Sequence, residues 1–208
     1  MKNMSISDQV VNFYPVKKKG PNYLQYCIGC LSDEEKPSSI RDCIWQYTSG
    51  SNWYCTEVNM ALASDSPKLK SYGSYIKQLK YSIGMSQMRF AGTVFRGADM
   101  SPSEIQAYET QNIFFIPSFT STSKSMPFKN KNTLFHIDIT PEWSKFCMEI
   151  QPAHTKYAAE EEILFSCYNL YQYQRTEKSN GQRIIKLTLM NYNKYFNYRA
   201  NTIVNYHV

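Results

Sequence analysis

Three consecutive glutamates, Glu160, Glu161 and Glu162, lie directly before an apolar run in the stretch AAEEEILF at 158–165. The run is typical of a buried strand, in which successive side chains alternate between the two faces. Glu160 and Glu162 are therefore expected to project the same way, about 7 Å apart, with Glu161 opposite. An acidic triplet is more often a solvated strand entry. The alternative is a site in which two carboxylates perform electrostatic and acid–base catalysis.

Two polar groups upstream of the acids bear on this choice. Arg96 ends a predicted strand in VFRG, and the hydroxyl run SFTSTS supplies Ser121, Thr122 and Ser123. Alone, a strand arginine is usually a surface ion-pair partner, and a Ser/Thr run is usually an exposed edge. The order of the three groups along the chain and their placement on strands favour a common site instead.

The elements that must position these residues are helices first and strands afterwards. Apolar residues between about 54 and 90 recur at spacings of three or four, which predicts two helices. Ser101, Pro102 and Glu104 supply the capping residues of a short helix from about 102 to 111. Residues rich in β-branched and aromatic side chains predict strands at 92–97, 112–123, 133–140, 162–168 and 183–192.

This order predicts an α+β domain rather than an alternating parallel α/β sheet. The sequence contains no GxGxxG and no P-loop, so a nucleotide would have to bind by another device. At 208 residues and 24.3 kDa the chain suffices for one sizeable core. We expect an N-terminal extension at 1–40 and one domain at 41–208.

The charge balance favours anionic partners but does not choose among them. The formal net charge is +6 and the isoelectric point is near 8.9, which suits nucleic acid, a membrane surface or a phosphorylated cofactor. The N-terminus has no apolar stretch of signal-peptide length, and no window has the length of a membrane span. We therefore expect a soluble protein, cytoplasmic or secreted, without a membrane span and monomeric.

The six cysteines predict neither a disulfide scaffold nor a metal site. Six cysteines are too few for a disulfide scaffold in a chain that already has a hydrophobic core. Cys27 and Cys30 form a CxxC, but no second CxxC and no nearby histidine completes a zinc site. We expect no metal.

With these motifs, the sequence resembles the mono-ADP-ribosyltransferases, the group that includes the vertebrate arginine-specific ecto-enzymes and the bacterial binary toxins. That family has an arginine on one strand, a serine-threonine-serine on another, and a glutamate-any-glutamate before an aliphatic strand. The matching residues are Arg96, the run 121–123, and Glu160 with Glu162. The resemblance covers about 43–192, including YTSGSNWYCTEVNMAL at 47–62. It implies a helical segment packed on a mainly antiparallel, two-sheet β core.

The resemblance implies NAD as co-substrate, and the roles it suggests agree with the chemistry. Cleaving nicotinamide from its ribose develops positive charge on the sugar, which a fixed carboxylate stabilises. Glu162 is the candidate, held by Ser121 and hydrogen-bonded to the ribose. The guanidinium fork of Arg96 suits the pyrophosphate, and Gly97 would let the nicotinamide amide approach the backbone. Thr122 and Ser123 complete this part of the predicted cofactor site.

Glu160 is expected to act on the acceptor. A protonated guanidinium is a poor nucleophile, so a nearby carboxylate must orient it and accept a proton. In the family, two glutamates at this spacing accompany arginine modification, whereas glutamine in the first place goes with other acceptors. The resemblance therefore implies a protein substrate with an accessible arginine. Glu161 receives no catalytic role.

Residues around the core motif complete the predicted site. Tyr54 and Asn59, or Tyr47, correspond to family residues on the adenosine or phosphate side; ordinary packing is the alternative. In KSMPFKNKN at 124–132, Phe128 is the candidate for stacking on nicotinamide, and Lys129 or Lys131 for a place near phosphate. His154 lies in the segment where relatives recognise their acceptor, although a solvated loop histidine explains it equally.

Two other functions compete with an arginine-specific ADP-ribosyltransferase. If water is the main acceptor, the protein is chiefly an NAD glycohydrolase. Alternatively, a basic, tyrosine-rich chain could be a nucleic-acid-binding module. Because no RNP-like aromatic motif, zinc finger or basic helix supports that interpretation, we expect no nucleic-acid partner.

Overall fold

A computed structural model of the protein describes residues 34–49, 54–64, 68–125 and 130–190. The predicted extension therefore lies mostly outside the described residues, as do Cys27 and Cys30. Four α-helices are described, and three precede the first strand. They are α1 (Ile40–Ser49), α2 (Tyr54–Ser64), α3 (Leu69–Met85) and α4 (Pro102–Glu109).

The strands follow, interrupted by α4 and by three short 3-10 turns. They are β1 (Gly92–Ala98), β2 (Ile113–Ile116), β3 (Thr120–Ser123), β4 (Thr133–Ile139), β5 (Cys147–Glu149), β6 (Glu162–Phe165), β7 (Asn169–Ser179) and β8 (Gln182–Met190). The helices-then-strands order confirms the predicted α+β class.

All eight described strands hydrogen-bond into one sheet with the order β2-β7-β8-β4-β1-β3-β6-β5. Only the β4/β8 pair is parallel among the described strands, which agrees with a mainly antiparallel core. The two-sheet detail of the prediction is not confirmed. The sheet nevertheless has two halves, β2-β7-β8-β4-β1 and β3-β6-β5. The junction between them is narrow, because β1 and β3 share the single residue pair Phe95–Ser123.

Two apolar clusters flank the sheet half that contains β3 and β6. Leu164 packs with Phe119 and the buried faces of α1, α2 and α3, while its neighbours Ile163 and Phe165 pack in a second cluster with the other strands and α4. The strand EILF is thus buried on both faces. The predicted pair of helices is confirmed, since the buried residues of α3 recur at helical spacing: Leu69, Ile76, Leu79 and Ile83.

The short helix α4 begins with the predicted capping box. The Ser101 hydroxyl accepts a hydrogen bond from the Glu104 N–H, and the Glu104 carboxylate accepts one from the Ser101 N–H. Pro102 occupies the first turn, where a missing N–H costs nothing. Helix α4 ends at Glu109, two residues before the predicted end.

The single strand predicted at 112–123 is wrong. It divides into β2, which pairs with β7, and β3, which pairs with β1 and β6. Pro117 lies between the two strands and has no N–H for a ladder hydrogen bond. The chain thereby crosses from the edge of one sheet half into the other half, bringing the hydroxyl run beside the acids.

Strand β7 was not predicted, and β6 is shorter than expected. β6 ends at Phe165, and Tyr168 then turns the chain with φ 56°. The outer half of β7, YQRTEKS, is largely polar, so hydrophobic alternation does not reveal it. Asn180 and Gly181, both at positive φ, form the two-residue turn into β8. An Asn-Gly turn is a strong hairpin signal and could have revealed β7.

Candidate active site

Glu162 is the buried acid of the site. It begins β6 opposite Ser123 and is 9% exposed. The pKa of Glu162 is raised, chiefly by burial and also by the charge of Glu160. The interaction with Ser121 and the charge of Arg96 act in the opposite direction and are smaller in sum. The pair predicted to work together, Ser121 and Glu162, is therefore in contact.

Glu160 lies in a different environment. It ends the 3-10 turn Ala158–Glu160 and is exposed, and Glu161 adopts a left-handed conformation with φ 46° and ψ 47°. The alternation argument, which assumed an extended chain from Glu160 to Glu162, is therefore wrong. Because a left-handed residue separates the acids, the turn and not a strand sets the direction of Glu160. The two charges still interact, since Glu160 raises the pKa of Glu162.

The hydroxyl run on β3 divides its work between the two faces of the strand. Thr122 is buried and donates to the Ile163 carbonyl at 2.8 Å, whereas Ser123 donates to the Glu160 carbonyl at 2.8 Å. Ser121, on the same face as Ser123, contacts the Glu162 carboxylate. The run therefore holds the acidic segment through both backbone and side chain. Contact of Thr122 or Ser123 with a cofactor stays a prediction.

Arg96 joins the two sheet halves at their narrow junction. It is half-buried on β1, and its Nη1 donates to the Ser121 carbonyl oxygen at 2.6 Å. That contact engages one of the five guanidinium donors. Burial lowers the pKa of Arg96, while the charge of Glu162 raises it. Gly97, the next residue, is buried opposite Leu134 of β4.

Helices α1 and α2 form a wall beside the two charged groups. The Asn59 amide donates to the Tyr47 hydroxyl at 2.8 Å, and its oxygen accepts from the Phe119 N–H at 3.1 Å. Asn59 thus fastens both helices to the entry of β3. The pKa of Tyr47 is raised, chiefly by burial, and the hydrogen bond with Asn59 partly offsets this. The charge of Glu162 raises it further, and the charge of Arg96 lowers it. Tyr47 therefore lies within electrostatic range of both charged groups.

Searches among known proteins gave matches in structure only. No protein-family model matches the sequence, and neither does any curated protein. Similar solved structures include the ADP-ribosyltransferase HopU1 of Pseudomonas syringae, with 19% identity, a TM-score of 0.58, and coverage of 73% of this chain and 76% of that one. The C3 exoenzyme of Clostridium limosum has 15% identity and a TM-score of 0.59, covering 92% and 98%.

A third similar structure is the ADP-ribosyltransferase Vis, solved in complex with agmatine. It has 16% identity and a TM-score of 0.55, covering 89% of this chain and 91% of that one. The chain has the ADP-ribosyltransferase fold. The resemblance predicted from three short motifs is therefore confirmed at the level of the fold.

Within the ADP-ribosyltransferase fold, the remaining predicted residues lie in three kinds of place. Tyr54 begins α2, and its ring meets those of Tyr72 and Tyr75 edge-on, among the helices. Lys131 forms an ion pair with Asp99 at 2.6 Å. Phe128 and Lys129 lie outside the described residues. The roles predicted for Tyr54, Asn59 and Phe128 at the cofactor stay predictions.

The sequence analysis missed the end of α1, which contacts the segment before the acids. Thr48 and Ser49 hydrogen-bond to the backbone of His154 and Lys156. No local signal reveals such contacts, because the partners are more than a hundred residues apart. His154 itself is half-buried; burial lowers its pKa, and the charge of Arg41 lowers it further.

No group of three or more metal-ligating side chains occurs within 34–49, 54–64, 68–125 and 130–190. Over the same residues, every helix is too short or too polar to cross a bilayer.

Proposed function

We propose that the protein is an NAD-dependent mono-ADP-ribosyltransferase that moves ADP-ribose from NAD to a protein arginine and releases nicotinamide. One observation carries the proposal: a buried glutamate on β6, paired with the strand whose Ser121 carbonyl accepts from Arg96 at 2.6 Å, within the ADP-ribosyltransferase fold. Burying a carboxylate lowers the stability of the folded protein. Buried groups with perturbed pKa values are typical of functional sites.

The chain's own groups suit each step of the reaction. When the bond between the ribose C1′ and the nicotinamide nitrogen breaks, its electron pair leaves with the nicotinamide, and positive charge develops on the sugar. Glu162, held by Ser121, supplies the fixed negative charge that stabilises this state. Arg96 supplies a permanent positive charge for the diphosphate, and its contact with Ser121 keeps that charge at a set distance from the acid.

The acceptor step assigns a separate role to Glu160. A guanidinium nitrogen forms a new bond to C1′ and loses a proton, which the Glu160 carboxylate accepts. Because Glu160 is exposed while Glu162 is buried, a protein side chain can reach the former without displacing the latter. Support for an arginine acceptor comes from the two glutamates at this spacing. The agmatine complex of Vis, a structurally similar protein, agrees with it, since agmatine carries the same guanidinium group.

The test uses the whole protein with NAD and agmatine. We expect both nicotinamide and ADP-ribosylated agmatine to form. Nicotinamide without the adduct would identify an NAD glycohydrolase instead, and neither product would contradict the proposed function. Incubation with cell lysate and NAD, followed by mass spectrometry of ADP-ribosylated peptides, would identify the protein substrate and the modified side chain.

A further inference from the structure

The segment from 151 to 161, here called the turn segment, leads the chain into Glu160. It consists of two 3-10 turns, Pro152–His154 and Ala158–Glu160, with Thr155 buried between them. Turns of this length have little internal hydrogen bonding to fix their shape. The position of Glu160 therefore depends on what holds the turn segment from outside.

The end of α1 holds the first half of the turn segment. The Thr48 hydroxyl donates to the His154 carbonyl at 2.6 Å, and the Ser49 hydroxyl accepts from the Lys156 N–H at 2.7 Å. A hydroxyl has one proton to donate, and the contact to His154 is shorter than the 3.2 Å approach of Thr48 to the Ile44 carbonyl in its own helix. Ser49 is buried, at 4% exposure.

Further hydrogen bonds continue from this anchor to Glu160. The Tyr157 N–H donates to the Thr155 hydroxyl at 3.0 Å, and the Glu160 N–H donates to the Tyr157 carbonyl at 2.9 Å. At the far end, Ser123 donates to the Glu160 carbonyl at 2.8 Å. The turn segment is therefore fixed at one end to α1 and at the other to β3.

The same last turn of α1 also lies within electrostatic range of the buried acid. Tyr47, which immediately precedes Thr48, is buried, hydrogen-bonded to Asn59, and within electrostatic range of Glu162. A single rigid element thus borders both halves of the site. Anchoring the turn segment there sets the place of Glu160 relative to Glu162.

We infer that Thr48 and Ser49 are positioning residues that hold Glu160 where it can serve an acceptor, and so favour transfer over hydrolysis. This inference rests on the proposed function. Loss of either anchor should loosen Glu160 while leaving Glu162 and Ser121 on their strands. Transfer, which needs both acids, should then fall more than hydrolysis, which needs Glu162.

The experiment compares Thr48→Val, Thr48→Ser and Ser49→Ala with a matched control, Thr110→Val. Thr110 is the C-cap residue of α4, far from the turn segment in sequence, and its hydroxyl donates to the Ala107 carbonyl of that helix at 3.3 Å. The readout is the ratio of agmatine adduct to hydrolysed NAD, with KM for agmatine. We expect the ratio to fall about fivefold in Thr48→Val and Ser49→Ala, and Thr48→Ser to restore it to within about twofold.

Loss of stability cannot mimic this result, because both products come from the same folded molecules and their ratio is independent of the folded fraction. An unchanged ratio in both Thr48→Val and Ser49→Ala would overturn the inference. So would an equal fall in Thr110→Val, since that hydroxyl does not contact the turn segment.

A second measurement separates this inference from the proposed function. Amide hydrogen exchange at Lys156, Tyr157 and Glu160 needs no activity and reports the hydrogen bonds named above. We expect these amides to exchange about fivefold faster in Thr48→Val than in Thr110→Val. If the unaltered protein makes no adduct, the proposed function fails, and exchange rates alone decide the anchoring. Equal exchange in the two variants would then refute it.

Discussion

Glu160 and Glu162 are two residues apart, yet one is exposed on a turn and the other is buried at the start of a strand. The Glu162 carboxylate interacts with Ser121, whereas Glu160 is held through its backbone, by the Ser123 hydroxyl and by the Tyr157 carbonyl. The difference teaches that sequence proximity does not imply a shared task. A fixed buried acid suits the sugar, while an exposed acid on an anchored turn suits a variable macromolecular partner.

The left-handed Glu161 makes this separation possible. A residue with φ 46° reverses the course of the chain between the 3-10 turn and β6. The N–H of Lys124, the residue after β3, donates to the Glu161 carbonyl at 3.2 Å, so the end of β3 supports the turn here too. The two acids therefore approach the site from two different elements, a turn and a strand.

The largest expected effect comes from removing the buried charge. Glu162→Gln keeps the shape and an acceptor for Ser121 but lacks the negative charge opposite the developing cation. Both hydrolysis and transfer should fall about a thousandfold, as measured by nicotinamide release and adduct formation. Glu161→Gln, the same change at the exposed neighbour, serves as the control. A loss of less than about tenfold in Glu162→Gln would show that the charge is not essential.

The comparison is tested more sharply by the same change in the exposed acid. Glu160→Gln should reduce transfer to agmatine about a hundredfold, because the acceptor loses its proton acceptor. Hydrolysis should change by less than about threefold, because Glu162 is intact. The ratio of adduct to free nicotinamide measures the difference. Equal losses of both activities would mean that the two acids act as one unit.

The sequence predicts which residues come together better than it predicts their geometry. Arg96, Ser121 and Glu162 are brought together as expected, because each lies on a strand whose pattern is readable and whose neighbours are fixed by pairing. The placement of Glu160 was expected from strand alternation and is wrong. That failure has a physical cause: a left-handed non-glycine residue leaves little trace in composition.

The fold shows the same division between local and non-local information. The capping box of α4 was predictable because all its partners lie within three residues. The anchoring of the turn segment by Thr48 and Ser49 was not, since it depends on how α1 packs against residues a hundred positions later. Strand β7 lies between these cases: its turn residues are informative, although its polar outer half is not.

A smaller effect is expected from changing Arg96, which is proposed to act with the buried Glu162 in binding NAD. Arg96→Lys keeps the charge, but a single ammonium cannot both donate to the Ser121 carbonyl and present a planar fork to a diphosphate. We expect kcat/KM for NAD to fall about tenfold, equally in hydrolysis and transfer. The exposed surface change Arg175→Lys is the control. A selective loss of transfer would indicate that Arg96 acts on the acceptor and not on NAD.

The smallest effect is a change of stability with pH. Because the pKa of Glu162 is raised above its ordinary value of 4.5, the folded protein binds this proton more tightly than the unfolded chain. The protein therefore loses stability as the pH rises from about 4.5 through the folded-state pKa. Glu162→Gln removes the cost of a buried charge, so its Tm should exceed that of the unaltered protein by a few degrees at neutral pH.

This gain should shrink below pH 4.5, where the wild-type carboxyl is protonated in both states. Thermal unfolding of both proteins across pH 4 to 8 measures this gain in stability. A difference on the order of 1 kcal/mol shifts Tm by a few degrees and is therefore detectable. Glu161→Gln, at an exposed acid, should show no such trend. If Glu162→Gln is less stable at neutral pH, the interaction with Ser121 and the charge of Arg96 outweigh the cost of burial, and the buried acid stabilises the fold.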